Sequence, residues 1–215
     1  MKAARYGRAP EDLGLIDIAP AEMMFWLYCP IKAPGGEIVL PPNLKQFLPI
    51  VNAVCENAAT AVYRQSYLYL TAKTMHVSSQ CPGNRPGWHS DGFMTDDINY
   101  IWYDSNPTMF WVPDTLRPFS RHDDVSLLEM DEAARNDGLH HKAYPCRHLL
   151  KLDETVIHRV GDVRDEGIRT FVKISMSDSR YDLIGNSINH GLDVGWTPTA
   201  RRADARNQPS SSEAV

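Results

Sequence analysis

Apolar residues at 44, 47, 48, 51, 54, 55, 58 and 62 follow the i, i+3, i+4 spacing of a helix with one buried face. This predicts a helix over 44–62 whose start Pro49 delays, because proline lacks the N–H that a helix interior needs. Upstream, residues 1–42 are proline-rich and carry only short apolar pieces at 13–18, 23–29 and 38–40, so they read as irregular. Beyond Val62 the period shortens. Segments 67–72 and 75–78 are rich in aromatic and β-branched residues and predict strands. Residues 81–87, CPGNRPG, form a turn cluster. Further strands are expected over 87–94, 99–103, 108–112, 146–152, 155–159 and 168–176.

A second helix interrupts these strands. Ser126-Leu-Leu-Glu129 has the form of a capping box, and Asn136-Asp137-Gly138 supplies a stop. From residue 197 onward no sizeable apolar residue occurs before the final valine, so 197–215 reads as a flexible tail behind a single domain spanning 1–196. Short strands bounded by turns predict an α+β chain that is mostly β. The expected form is an antiparallel sandwich or barrel with helices packed outside, rather than a βαβ sheet.

Composition narrows the function. The chain of 215 residues carries a net charge of −5, which argues against a general nucleic-acid coat. The apolar run 23–29 is far shorter than the ~20 residues a spanning helix needs. Cys29, Cys55, Cys81 and Cys146 are scattered with no CxxC, consistent with reduced thiols and a cytoplasmic setting. GxGxxG, GxxxxGK[ST] and GxSxG motifs are all missing.

The informative segment is Trp88-His89-Ser90-Asp91-Gly92. On a strand, residues i and i+2 share a face, so His89 and Asp91 would present an imidazole and a carboxylate together. One such pair decides little. Eight histidines and 18 aspartates produce about 0.7 His-x-Asp matches by chance, and a second match, His122-Asp-Asp124, is indeed present. Context separates the two. His122 and Asp124 lie in a polar stretch ahead of a helix, whereas His89 and Asp91 lie in an aromatic, glycine-flanked strand. His158, in a later strand, is the best third ligand, and Arg169 opens the strand after it.

His89-x-Asp91, His158 and Arg169, in this order, resemble the iron(II)- and 2-oxoglutarate-dependent oxygenase superfamily over about residues 66–177. The resemblance implies a distorted double-stranded β-helix, a jelly-roll or cupin-like barrel. It implies iron(II) held by His89, Asp91 and His158, with 2-oxoglutarate and dioxygen as cosubstrates. Arg169 would pair with the distal carboxylate of 2-oxoglutarate, with Lys173, on the same strand face, as the alternative anchor. Oxidative decarboxylation to succinate would drive hydroxylation or demethylation of a small metabolite, amino acid, nucleotide or nucleobase. Phe171 stands where many relatives carry serine, and the asparagine and second arginine of the DNA-repair demethylase branch are not evident.

Other readings stand beside this one. The triad could belong to a non-catalytic cupin-like metal-binding module, or to a mononuclear metal enzyme that does not use 2-oxoglutarate. Trp88, Phe93 and Tyr103 are candidate substrate contacts, and Tyr67, Tyr69 or Thr71 could add a hydroxyl. His140, His141, Cys146 and His148 fit no common zinc spacing and read as a loop or strand face.

Overall fold

Leu68, Leu70 and Ala72 alternate with Tyr69, Thr71 and Lys73, so this segment has one apolar and one polar face. The computed structural model, which describes residues 4–200, shows what each face meets. A six-stranded antiparallel sheet contains Glu11–Leu15 (β1), Met24–Lys32 (β2), Tyr67–Val77 (β3), Ile98–Tyr103 (β5), His148–Leu152 (β8) and Gly167–Ser177 (β10), in the order β1-β8-β5-β10-β3-β2. A four-stranded antiparallel sheet contains His89–Ser90 (β4), Met109–Trp111 (β6), His141–Ala143 (β7) and Ile157–Arg159 (β9), in the order β4-β9-β6-β7. Three α-helices, Leu48–Asn57 (α1), Thr60–Gln65 (α2) and Asp123–Arg135 (α3), complete the α+β architecture of the described residues.

The apolar face of the larger sheet is covered by the first helical segment. Leu68, Leu70, Tyr100, Trp102, Val172 and Ile174 form one buried cluster with Leu44, Phe47, Ile50, Val51 and Val54. Ile174 lies opposite Leu70 on one side and Tyr100 on the other, fully out of solvent. Replacing it with alanine should therefore cost about 2–5 kcal/mol through lost burial plus a cavity. Thermal denaturation should show a fall of roughly 5–15 °C for a chain of this size.

The smaller sheet is backed by α3. Trp88, Trp111 and Ile157 pack with Met130 and Ala134 of that helix. Its other face turns toward the larger sheet, where Phe110 meets Ile101, Tyr103, Leu150 and Leu152. No helix among the described residues is long and apolar enough to cross a membrane.

Several expectations need correction. The 44–62 helix is a 3-10 segment over Pro42–Phe47, then α1 and α2, with Ala58 and Ala59 extended between them. Pro49 sits in the first turn of α1, where its missing N–H costs nothing. Ser126 does not cap α3. The helix begins at Asp123 with His122 at the cap position, and the aspartates at 123 and 124 favour its positive end. Ser126 is buried inside the helix and donates to the Asp123 carbonyl at 2.8 Å, while Glu129 accepts from the Ser120 N–H at 2.7 Å.

The "irregular" N-terminal region supplies two strands. In β2 the register shifts between Trp26 and Cys29, and Tyr28 adopts φ +46, so no clean period-two pattern survives in the sequence. Tyr67–Val77 form one continuous strand rather than two, and of 87–94 only His89 and Ser90 are strand. Thr199, at the start of the expected tail, bonds to Asp182 and bridges Leu183. The remainder of that tail, 201–215, lies outside the described residues.

Candidate metal centre

His89 and His158 are 69 positions apart in the chain but directly opposite each other in the β4–β9 pair. Residues opposite in an antiparallel pair share a face, and the two rings lie 4.7 Å apart. Phe110, opposite His158 on its other side, extends the row, its ring 6.0 Å from that of His158. The row behind it, Ile157 and Trp111, faces α3.

Asp91 follows β4 immediately, in a tight turn rather than on the strand itself. Gly92 makes that turn at φ +70, and a Cβ there would meet Asp97 Cβ and Thr95 Oγ1 at 3.0 Å. Thr95 closes the turn by donating to the Gly92 carbonyl at 2.7 Å. Ser90 bonds to the Glu154 carbonyl, and the Met94 N–H bonds to the Glu154 carboxylate at 2.7 Å. These contacts strap the turn to the loop leading into β9, bringing Asp91 Oδ2 to 3.7 Å from His158 Nε2.

His89, Asp91 and His158 each offer a ligand atom within 4.8 Å of the others, so together they could hold a metal ion. Both imidazoles are prepared for that task. His89 Nδ1 donates to the Gly87 carbonyl at 2.9 Å, and His158 Nδ1 donates to the Val156 carbonyl at 3.3 Å. Because a carbonyl only accepts, each ring carries its proton on Nδ1 and its free lone pair on Nε2.

The charge arrangement depends on Lys173. Its Nζ lies 2.9 Å from Asp91 Oδ2 and 3.1 Å from the Tyr28 hydroxyl. Burial opposes charge on both partners, but their pairing overrides it: Asp91 is held well below the usual carboxylate range and Lys173 above the usual lysine range. Burial pushes His158 down to about 4, with His89 adding to the effect and Asp91 opposing it. His89 is also lowered, chiefly by burial.

A depressed histidine contributes stability above its unfolded pKa and loses it as pH falls through the folded value. After metal chelation, the protein should therefore lose about 3 kcal/mol between pH 6.5 and 4 through His158. The Asp91–Lys173 pair is present throughout this window, since Asp91 is shifted down and Lys173 up. Chelator-treated melts across that range, compared with His158→Gln, check the expectation. The variant should show a shallower acid slope.

The triad opens onto a cavity of about 180 Å³ between the sheets. In-register rows of the larger sheet line its floor: Ser175 beside Asn99, Lys173 between Thr71 and Ile101, and Phe171 beside Lys73. Tyr28, Asp97 and Tyr181 line it as well. Sequence reading missed these last three and Lys73. The polar alternate positions of β3 were a usable signal for Lys73, whereas Tyr28 depends on the β2 irregularity and had none.

Arg169 lies farther along β10 on the same alternating face, beyond Phe171, and is not among the cavity-lining residues described. It is 2% exposed. Its guanidinium lies over the rings of Tyr103 and Phe171 at 5.9 and 5.4 Å, and its Nε donates to the Ser105 carbonyl at 3.0 Å. Its Nη2 is the buried side-chain polar atom left without a partner among the described residues.

Trp88 and Phe93 belong to the cluster under α3, and Tyr103 packs between the sheets with its hydroxyl on the Tyr144 carbonyl at 3.3 Å. None of the three lines the cavity. His140 bonds to Asp137 and Asp114, His141 to the Ala134 carbonyl, and His148 to Asp12, while Cys146 packs against the inter-sheet cluster. These four side chains therefore serve separate partners. His122 stands at the exposed start of α3.

Comparison with protein-family models, curated proteins and solved structures found no match.

Proposed function

We propose that this chain is an iron(II)- and 2-oxoglutarate-dependent oxygenase, with His89, Asp91 and His158 as metal ligands and Arg169 as the anchor of the cosubstrate. The observation that carries the reading is the facing pair of imidazoles with one adjoining carboxylate. This donor set suits octahedral iron(II) and leaves positions free for other ligands. The strand orders support a double-stranded β-helix, since each sheet is antiparallel and the metal-ligating strands adjoin within the smaller one. Arg169 fits the cosubstrate because its orphaned Nη2 needs an acceptor that the described residues do not supply.

Bound iron(II) would supply oxidative decarboxylation of 2-oxoglutarate to succinate, coupled to hydroxylation or demethylation of a substrate. The chain's own residues supply position and charge. His89 and His158 present Nε2 lone pairs held in place by the Gly87 and Val156 carbonyls. Lys173 keeps Asp91 ionised by donating to Oδ2, the same oxygen that lies 3.7 Å from His158 Nε2. Phe171, Ile101 and Val160 line the cavity with apolar surface that limits access of water.

One observation favours a second reading, a metal enzyme that does not use 2-oxoglutarate: Phe171 lies between Arg169 and the cavity. Anaerobic addition of iron(II) and then 2-oxoglutarate separates the two. A weak visible charge-transfer band and subsequent succinate release on aeration are expected for the oxygenase. Iron retention with neither band nor succinate would overturn the oxygenase reading.

A further inference from the structure

Positive charge collects around this cavity in a chain that is acidic overall. Lys73 and Arg85 line it at the same end, and no carboxylate among the described residues pairs with either. Lys73 Nζ has only neutral acceptors, Asn84 Oδ1 at 3.1 Å and the Gly83 carbonyl at 3.4 Å. It projects from β3 opposite Phe171, in the row next to the Lys173–Thr71 row. Arg85 is exposed at the rim, on the loop that leads from β3 into the metal-binding segment. Burial, with Lys173 and Arg169 adding to it and Asp91 only partly opposing, lowers Lys73 to about 8, so a neighbouring anion would relieve a strained charge.

Charge counting shows what the cosubstrate leaves over, and here the inference rests on the oxygenase reading. A divalent metal with Lys73, Arg85, Arg169 and Lys173 brings six positive charges. Asp91, Asp97, the Asp104 carboxylate beside Arg169 and a dianionic 2-oxoglutarate bring five negative ones. One positive charge remains, and Lys73 and Arg85 are the cavity cations with no carboxylate in ion-pair contact among the described residues. A cleft of one sign concentrates ligands of the other sign. An ammonium on one flexible stem and a guanidinium fork on another suit a carboxylate or phosphate group.

We propose that the substrate is a small acid whose carboxylate or phosphate group is held between Lys73 and Arg85 at the cavity rim, beside the cosubstrate. The site selects against neutral and cationic substrates. The carbon that reacts is the one such an acid presents toward His89, Asp91 and His158.

Protein loaded with manganese(II) and saturated with 2-oxoglutarate tests this by calorimetric titration with methyl phosphate, propionate and, as a neutral control, n-propanol. Binding of at least one anion and not of propanol is expected, and the tighter anion tells phosphate from carboxylate. Lys73→Met and Arg85→Gln should each weaken that anion at least tenfold while 2-oxoglutarate affinity stays within about twofold. Lys73→Arg should recover much of the loss. Arg85 is exposed, so its variant keeps the test open if Lys73→Met fails to fold. Anions that displace 2-oxoglutarate would overturn the proposal, because the two cations would then be part of the cosubstrate's own site. Anion binding indifferent to both substitutions, or no anion binding, would overturn it too. If wild-type protein fails to bind 2-oxoglutarate, the oxygenase reading falls. Methyl phosphate binding that still requires Lys73 and Arg85 would then leave the anion site standing.

Discussion

His89→Ala and His158→Ala are each expected to abolish iron(II) retention through desalting, while His122→Ala retains the metal as wild type does. The physical reason is coordination number. The group offers three ligand atoms, and removing one leaves a two-donor site. Loss of a hydrogen-bonding partner behind a ligand already costs about 10–100-fold in metal affinity, so loss of the ligand itself costs more. His122 occupies the cap position of an exposed helix start and is not among the three grouped ligands. Metal content by atomic emission, with melting temperature as a folding control, decides the outcome. Metal lost from His122→Ala but kept by His89→Ala would place the centre at His122 and Asp124 instead.

Arg169→Ala should weaken 2-oxoglutarate binding by roughly two to three orders of magnitude while barely changing iron affinity. A buried charged pair loses about 3–5 kcal/mol when one partner is removed, and each 1.4 kcal/mol is tenfold. The guanidinium is 2% exposed with Nη2 unsatisfied, so the partner it gains on binding would be fully desolvated. Arg169→Lys should fall between wild type and alanine, because lysine keeps the charge but not the planar fork. Titration of 2-oxoglutarate into protein carrying a redox-inert metal measures this directly. Lys173 is the rival anchor, but its charge is already matched by Asp91 at 2.9 Å. If Lys173→Ala loses 2-oxoglutarate while Arg169→Ala binds normally, the anchor is Lys173. If neither matters, 2-oxoglutarate is not the cosubstrate.

Local pattern was enough for much of the frame. The alternation along 67–72 and 168–176 marked the two long central strands, and the one-sided stripe of Leu44, Phe47, Val51 and Val54 marked the helical segment that covers them. Both signals are periodic, and periodicity reports which face meets apolar neighbours without naming those neighbours. The His89-Ser90-Asp91 motif was also legible as a candidate, since three consecutive residues hold both donor types.

Tertiary structure decided the rest. Strand β2 hid behind Tyr28 at φ +46 and a shifted register, features set by pairing with β3 and not by local preference. The break at Ala58 and Ala59 has no proline or glycine to announce it. Asp91 reached the site through a turn strapped to Glu154, where sequence had placed it on a strand. Trp88 and Phe93 looked like pocket residues because they flank the motif, yet both pack in the cluster beneath α3, where the Trp88 backbone N–H donates to Asp131. Lys73, Tyr28 and Lys173 come from strands far apart in sequence and meet around one cavity. Sequence by itself determined which residues could ligate a metal and which faces were apolar, because those are properties of side chains and their spacing. Which side chains share a cavity, and which cations lack a counter-charge there, is set by the register between strands and by burial, and neither exists until the sheets have paired.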